Sequence, residues 1–338
     1  MKAIDRLASG KDLEAAEAGS VLQQIMTGNA SEVETAAFLL ALRTKGETVT
    51  EVAGLARTMR NFSTRVVLPG VELVDTCGTG GDKSNSFNIS TTAAFVAAGA
   101  GAKVAKHGNR GATSQSGSAD VLEALGANLD LPAAGVARCI REAGIGFMFA
   151  PLHHQAMKHV VPVRTKLGVR TVFNILGPLT NPAGAACQVV GVFDGSYVEL
   201  MARALKELGC RHGLVVHGDD GLDEITISGP TLVAEVKMGE DGIKTYKIRP
   251  CDFGLNETAG SGILKGGDAH ANAAILRSIL EGEAGARRDV VLLNAAAALY
   301  SAGIAGSIGD AVELAARSID SGAAHASLEA FIKSTRKI

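Results

Sequence analysis

Apolar residues recur at three- and four-residue intervals through residues 3–62, the spacing that puts them on one face of an α-helix. The pattern falls into two stripes: Leu13, Ala16, Val21 and Ile25, followed by Val33, Ala37 and Leu40. Ser31 with Glu34, and Thr48 with Glu51, have the spacing of capping boxes at helix starts. The first part of the chain is therefore predicted to be entirely helical.

After a linker over residues 65–69, short apolar runs alternate with helical patterns, which is typical of an α/β domain. The apolar runs predict strands at 71–74, 103–106, 146–150, 188–193 and 214–217. The helical patterns predict helices near 91–100, 119–125, 134–142 and 197–208. Because a helix separates successive strands, the sheet is predicted to be mainly parallel.

The rest of the chain completes this α/β fold class. Residues 231–237 and 244–248, joined across 239–242, predict an antiparallel hairpin at the sheet edge, and helices that pack on the sheet are expected from residue 268 onward. We expect a small helical domain over residues 1–66 and a large α/β domain over 70–338, with a mainly parallel central sheet. Prolines at 162, 178 and 182 do not suit a crossover helix, so part of 155–184 is expected to return to the helical domain as a hinge.

Composition excludes several classes of function. Apolar residues make up 46% and charged residues 20%, with 33 basic and 35 acidic residues, so no overall field attracts nucleic acid or an anionic membrane. Aromatic residues are only 4%, which disfavours a base-stacking surface. The five cysteines include no CxxC pair, which indicates reduced thiols. With no leader and no apolar run long enough for a membrane span, we expect a soluble, cytoplasmic protein.

The stretch over residues 74–126 carries the candidate chemistry. A short apolar run leads into the glycine-rich segment GTGGD at 78–82, and a predicted helix starts soon afterwards. Glycines let backbone N–H groups approach an anion, and the helix N-terminus adds positive potential at the same place. The segment is therefore predicted to bind phosphate.

Two common phosphate motifs do not fit this loop. Asp82 stands where a Walker loop needs glycine before Lys83-Ser84, and Lys83 stands where a GxGxxG motif starting at Gly78 needs glycine. A carboxylate such as Asp82 repels bare phosphate but suits a ribose hydroxyl or a cation. We therefore expect a sugar phosphate or a phosphate carried by a metal ion.

With these segments, the chain resembles the anthranilate phosphoribosyltransferase family over about residues 12–330. The matching segments are GTGGD (78–82), NIST (88–91), KHGNR (106–110), HVVPVR (159–164), FNILGPLTNP (173–182) and LDE (222–224). The resemblance implies a nucleoside phosphorylase/phosphoribosyltransferase-like fold and transfer of a phosphoribosyl group from 5-phospho-α-D-ribose 1-diphosphate to anthranilate. It also implies a homodimer formed through the N-terminal helices, whose apolar side chains need either the main domain or a second subunit to cover them.

The resemblance assigns the donor and metal sites residue by residue. Donor-binding residues are Gly78, Gly81, Asp82, Ser86, Asn88, Ile89, Ser90, Thr91, Lys106, Asn109, Arg110, Thr113, Ser114 and Ser118. Backbone N–H groups of 78–82 and 88–91 are expected to hold the diphosphate, with Lys106 adding a charge. Asp223 and Glu224, with the Ser90 hydroxyl, are expected to bind Mg²⁺, which prefers hard oxygen ligands.

The anthranilate site is assigned in the same way. Its residues are Gly78, His107, Asn109, His154, Arg164, Gly177 and Pro178. The guanidinium of Arg164 matches the acceptor carboxylate through two parallel hydrogen bonds. No covalent nucleophile or base is assigned. The sequence departs from the family pattern at Gly111, Thr113 and Gln115, usually Ser, Ser and Lys, and at Gln155, usually proline, which puts part of the diphosphate contacts and one wall of the acceptor site in doubt.

Two alternatives stay open. A pyrimidine nucleoside phosphorylase handles a ribosyl group and phosphate, but Asp223-Glu224 and Arg164 suit a metal diphosphate and a carboxylate better than a nucleobase. A non-catalytic, nucleic-acid-binding relative would be expected to have a basic groove, whereas the formal net charge is −2.

Overall fold

The computed structural model describes residues 2–111, 115–258, 260 and 262–337. It begins with four helices: α1 (Lys2–Ala8), α2 (Ala15–Met26), α3 (Glu32–Lys45) and α4 (Val49–Asn61). Both predicted capping boxes are formed, because Ser31 and Thr48 accept from the backbone N–H groups of Glu34 and Glu51, whose carboxylates accept in return. The predicted helical start of the chain is confirmed.

The remaining chain forms a seven-stranded sheet in the order β3-β2-β1-β4-β5-β6-β7. The strands are β1 (Val74–Gly78), β2 (Val104–Gly108), β3 (Ile145–Phe149), β4 (Cys187–Gly191), β5 (His212–Gly218), β6 (Thr231–Lys237) and β7 (Lys244–Ile248). The first five are parallel, with Val74 opposite both Val104 and Cys187, while β6 and β7 are antiparallel. The mainly parallel sheet and the edge hairpin are as predicted.

The first strand differs from its predicted position. It covers Val74–Gly78 instead of 71–74, so polar Asp75 and Thr76 lie inside the sheet and are buried. Asp75 is satisfied there, because the Asn181 amide and the His107 N–H donate to its two oxygens at 2.7 and 3.1 Å. Apolar character alone could not locate the strand, since this buried carboxylate is paired by residues distant in sequence.

The other helices surround the sheet. They are α5 (Ile89–Gly99), α6 (Ser118–Ala124), α7 (Ala133–Ala143), α8 (Ala150–His153), α9 (Val161–Leu167), α10 (Phe173–Leu176), α11 (Tyr197–Glu207), α12 (Ala269–Leu280), α13 (Ala286–Ser301), α14 (Ile308–Asp320) and α15 (Ala323–Thr335). The segment between β3 and β4 is a series of short helices, in place of the single crossover helix that its prolines were predicted to prevent. No helix in the described part of the chain combines the length and apolar composition that a membrane crossing requires.

The helical domain and one face of the sheet share a hydrophobic core. Leu55 of α4, Leu176 of α10 and Met201 of α11 belong to one buried cluster with Val190 and Val215 of the sheet. The opposite face packs against α5 and α13 in a second cluster. Since α10 shares the core of the helical domain, we propose that domain boundaries of 1–66 plus part of 155–184, and of 70–338, describe the chain.

One predicted apolar stripe faces outward. Val33 and Leu40 of α3 are 77% and 40% exposed, while Phe38, Leu39 and Leu42 form the buried face of this helix. The two faces of α3 are both apolar, so periodicity did not tell which one meets the core.

Candidate active site

Most of the predicted site residues lie at or beyond the carboxyl ends of the parallel strands. From β1 the chain continues to β2 on one side, whereas β4 and β5 lie on the other, so the sheet order reverses between β1 and β4. A crevice forms outside the strand ends at such a switch point. The glycine loop follows β1, and the loop carrying Asp223 and Glu224 follows β5.

The glycine loop is held by hydrogen bonds from neighbouring loops. The Thr79 N–H donates to the Gly191 carbonyl at 2.9 Å, and the Thr79 hydroxyl accepts from the Phe193 N–H at 3.0 Å. Gly80 and Gly81 then adopt left-handed φ values of 64° and 80°, which favour glycine. The loop conformation therefore depends on both its own glycines and the chain leaving β4.

Asp223 lies directly against β1 and β4. A Cβ at Gly78 would lie 2.6 Å from an Asp223 carboxylate oxygen, and one at Gly191 would lie 1.6 Å from the Asp223 backbone oxygen. The carboxylate accepts from the Gly80 N–H at 2.7 Å. Only glycine at these two strand ends leaves room for Asp223, and sequence reasoning missed this role of Gly191.

Three carboxylates crowd this end of the crevice. Burial, followed by repulsion from Asp82 and Glu224, raises the pKa of Asp223 well above its usual range. Burial raises the pKa of Glu224 to about 7, although Lys106 and hydrogen bonds from Ser90 oppose the shift. One oxygen of Asp82 is buried without a hydrogen-bond partner. Such a cluster of repelling carboxylates with unused oxygens suits a bound cation.

Among residues 2–111, 115–258, 260 and 262–337, no group of three or more His, Cys, Asp or Glu side chains is placed so that it could hold a metal ion. Mg²⁺ keeps several waters and is usually held by one or two carboxylates together with substrate phosphates. Asp223, Glu224 and the Ser90 hydroxyl are the residues that could hold it.

Lys106 and Ser90 connect the strand ends behind the glycine loop. The Lys106 ammonium is buried, donates to the Thr76 carbonyl and lies 3.5 Å from the Ser90 hydroxyl. The Ser90 N–H donates to Glu224 at 3.1 Å, and the Ile89 N–H donates to the Phe87 carbonyl. Several groups expected to contact diphosphate are therefore paired within the protein, while the Ile89 and Thr91 side chains are buried in α5.

Asn88 is fixed by a residue that sequence reasoning missed. The Asn88 amide donates to the Ser116 carbonyl at 3.3 Å, and its side-chain oxygen accepts from Asn272 at 2.9 Å. The Asn272 oxygen accepts in turn from the Gly267 N–H at 2.8 Å. Asn88 thus joins the loops that follow β1 and β2 to α12. No local motif marked Asn272.

The other predicted donor-binding residues make contacts in separate parts of the structure. Ser86 pairs with Lys265 in an isolated β-bridge, and the Ser118 hydroxyl donates to the Asn109 carbonyl at 3.3 Å. Arg110 is exposed and forms ion pairs with Asp120 and Glu123 on α6. Its guanidinium is thus engaged away from the glycine loop. Thr113 and Ser114 lie outside the described residues.

Two histidines form the wall of the predicted acceptor site. The rings of His107 and His154 are buried, with centroids 5.1 Å apart, and no ring nitrogen has a hydrogen-bond partner of standard geometry among the described residues. Burial and the proximity of other histidines lower the pKa of His107 well below its usual range and that of His154 to about 4. The backbone at Gly177 lies beside His107, so the turn with Pro178 adjoins two uncharged imidazoles.

Arg164 lies on α9, half-buried, with its guanidinium 5.6 Å from the ring centroid of Phe173. Burial lowers the pKa of this guanidinium, and it contacts no carboxylate within the described chain. A desolvated cation without an anionic partner is suited to an anionic ligand. Phe173 begins α10, which runs directly into the Gly177 turn.

Comparisons with known families cover nearly the whole chain. Residues 1–63 match the helical bundle domain of a glycosyl transferase family, and residues 70–325 match the a/b domain of the same family. The anthranilate phosphoribosyltransferase of Rubrobacter xylanophilus is 59% identical over 100% of this chain and 98% of the relative. That of Symbiobacterium thermophilum is 55% identical with the same coverage.

Solved structures agree with these matches. The crystal structure of anthranilate phosphoribosyltransferase from Thermus thermophilus has a TM-score of 0.93 and 45% identity, covering 99% of this chain and 100% of that chain. The Saccharomyces cerevisiae enzyme in complex with PRPP and Mg has a TM-score of 0.91 and 29% identity, covering 100% of this chain and 98% of that one.

The contact between Gly191 and Asp223 predicts the effect of adding one methyl group. Gly191→Ala should lower the free energy of unfolding by about 1–3 kcal/mol, because the backbone of Asp223 must move. Gly229→Ala is the matched control, since a Cβ there meets nothing within 4 Å. Thermal unfolding of both variants measures the difference, and equal stability would contradict the close approach.

Proposed function

Because this chain belongs to the anthranilate phosphoribosyltransferase family, we propose that it transfers the 5-phosphoribosyl group of 5-phospho-α-D-ribose 1-diphosphate to the amine of anthranilate. It is an enzyme of a glycosyltransferase family, and the products are N-(5-phosphoribosyl)anthranilate and diphosphate, in a step of L-tryptophan biosynthesis. Full-length relatives of this name favour the activity over nucleoside phosphorolysis or nucleic-acid binding. We also propose that it acts in the cytoplasm, where its free cysteines stay reduced.

The observation that supports this function best is the division of the crevice into two chemically different ends. The glycine loop and three carboxylates suit a diphosphate carried by a cation, whereas uncharged imidazoles and an unpaired guanidinium suit an aromatic carboxylate. Consumption of anthranilate, followed by its fluorescence with and without donor and Mg²⁺, tests the function directly. Unchanged fluorescence at saturating substrates would refute it.

At the donor end, the residues of this chain bind and orient the leaving group. Asp223, Glu224 and Ser90 would hold Mg²⁺, which when bound stabilises the negative charge that grows on the departing diphosphate. The glycine loop brings backbone N–H groups to the same end, and Lys106 contributes a buried positive charge behind it. Catalysis then depends on positioning and electrostatics, and no covalent nucleophile is required.

At the acceptor end, the protein has little need for a base. An aromatic amine is neutral at pH 7, so it can attack without losing a proton first. The depressed pKa values of His107 and His154 keep both imidazoles uncharged, so the wall of the site adds no positive charge beside a ribose that becomes cationic. Arg164 would orient the ring through its carboxylate.

We also propose that the protein is a homodimer joined through its N-terminal helices. The exposed face of α3 presents Val33 and Leu40, and exposed Val161 and Val169 lie on the segment that packs beside this helix. An apolar surface of this kind typically marks an interface.

Removing the acidic pair should reduce turnover and change its response to metal. For Asp223→Asn combined with Glu224→Gln, we expect a loss of roughly a hundredfold or more, because charge on the leaving group is no longer balanced. Initial rates across a Mg²⁺ titration measure this. Asp219→Asn, in the same loop but paired with Lys247 at the surface, is the control. A titration curve like that of the wild type would exclude the pair as ligands.

Arg164→Ala should weaken anthranilate binding specifically. Losing charge-assisted hydrogen bonds to a carboxylate should raise the KM for anthranilate by about ten- to a hundredfold, with a much smaller effect on the donor. Arg164→Lys keeps the charge but not the two-pronged geometry, so it should recover only part of the loss. If the donor KM rose more, Arg164 would belong to the other end of the crevice.

The dimer can be tested by placing a charge on the exposed stripe. Val33→Asp should convert the dimer to a monomer, because an unpaired carboxylate cannot be buried at an apolar interface. Met238→Asp is the control, since Met238 is comparably exposed on the β6–β7 hairpin. Light scattering after size-exclusion chromatography gives the mass of each. A wild-type protein that is monomeric at all concentrations would contradict the proposal.

A further inference from the structure

Arg170 connects the helical domain to the glycine loop through two different parts of its structure. It lies in the connection between α9 and α10, exposed to solvent. Its guanidinium donates to the carbonyl of Gly81 and lies 3.8 Å from the ring centroid of Phe193. Its backbone carbonyl accepts from the guanidinium of Arg43 on α3. No motif in the sequence marked Arg170.

We propose that Arg170 is a positioning residue that holds the glycine loop in its phosphate-binding conformation and makes that conformation depend on the helical domain. The proposal rests on the proposed function, since it concerns binding of the phosphoribosyl donor. It adds a residue from the hinge segment to the donor site, which would otherwise be formed by the α/β domain alone.

The contact to Gly81 orients one peptide group of the loop. In a trans peptide the C=O and the next N–H point in opposite directions. When Arg170 holds the Gly81 carbonyl, the N–H of Asp82 is turned away from Arg170. That N–H has no acceptor in the part of the chain that the structure describes. Arg170 thus keeps an unpaired loop donor in a fixed direction.

Phe193 gives Arg170 a fixed support. A planar guanidinium can lie over an aromatic face while its N–H donors point outward to other acceptors, which an ammonium group cannot do. Phe193 is itself tied to the loop, because its N–H donates to the Thr79 hydroxyl at 3.0 Å, and its ring packs 5.4 Å from that of Tyr197. The stacking therefore aligns Arg170 with the same loop that it contacts.

Arg43 supplies the connection to the helical domain. The Arg43 side chain, on α3, donates to the Arg170 backbone carbonyl. A displacement of α3 would therefore move Arg170 first and shift the glycine loop through it. The path is two hydrogen bonds in series, Arg43 to the Arg170 carbonyl and the Arg170 guanidinium to Gly81. A series path predicts that the two arginines are not independent.

A double-mutant cycle tests this arrangement. Calorimetric titration of the donor with Mg²⁺ into Arg170→Ala should show about three- to tenfold weaker binding, the value of one hydrogen bond, while the KM for anthranilate changes by less than about twofold. Arg43→Ala should weaken donor binding less. In the Arg170→Ala background, Arg43→Ala should have no further effect, because the guanidinium link to the loop is already gone.

Two further variants make the result specific. Arg170→Lys retains the positive charge but loses the planar guanidinium that lies over Phe193, so it should recover at most part of the affinity for the donor. Arg203→Ala removes an exposed arginine paired with Glu199 on α11 and should bind donor like the wild type.

Unchanged donor affinity in folded Arg170→Ala would overturn the proposal, as would additive effects of the two alanine substitutions. A wild-type protein that neither binds the donor nor consumes anthranilate would instead refute the proposed function, on which this inference rests.

Discussion

Asp223 lies so close to the ends of β1 and β4 that neither strand has room for a side chain at Gly78 or Gly191. This contact brings the loop after β5 across the switch point and places its carboxylate on the Gly80 N–H. Glu224 reaches the first turn of α5 in the same way, through the Ser90 N–H. The carboxylates therefore order the glycine loop, and under the proposed function they would also provide oxygen ligands for a cation.

Placing these carboxylates together in a buried site destabilises the folded protein unless a cation is bound. Burial, together with repulsion among the carboxylates, raises the pKa of Asp223 and Glu224, which means that the folded protein disfavours their charged forms. Functional sites commonly retain such destabilising groups because binding relieves them. The acceptor end is different, because its imidazoles are neutral and the Arg164 guanidinium has no carboxylate beside it among the described residues. These two environments support the proposal that one end of the crevice binds a polyanion with a metal ion and the other binds a small aromatic acid.

Sequence reasoning predicted the elements and named candidate site residues, many of which the structure places at one edge of the sheet, but it missed contacts made between distant segments. Capping boxes, the parallel strands and the edge hairpin follow from local pattern, and the glycine loop was evident from its density of glycine and hydroxyl groups. The predicted position of β1 was wrong because a buried carboxylate, Asp75, lies inside the strand and is paired by Asn181, which is distant in sequence. No local sequence pattern marks Asn272 or Arg170, because each is linked to the site only by its contact with a loop from elsewhere in the chain. The outward direction of Val33 and Leu40 was not predictable from spacing on a helix with two apolar faces.

Several of the predicted acceptor-site residues lie on one continuous segment, the helices between β3 and β4, and this has a consequence for how the protein can evolve. His154, Arg164 and the Gly177 turn all belong to this single segment, whereas the glycine loop and the acidic pair belong to the loops after β1 and β5. The same segment also contacts the sheet, because the Asn181 amide donates to Asp75 of β1 and to the Ala105 carbonyl of β2. A lineage that changed the part of this stretch around the acceptor end would alter the nucleophile it accepts, provided that Arg170 and Asn181, which contact the glycine loop and β1, were kept.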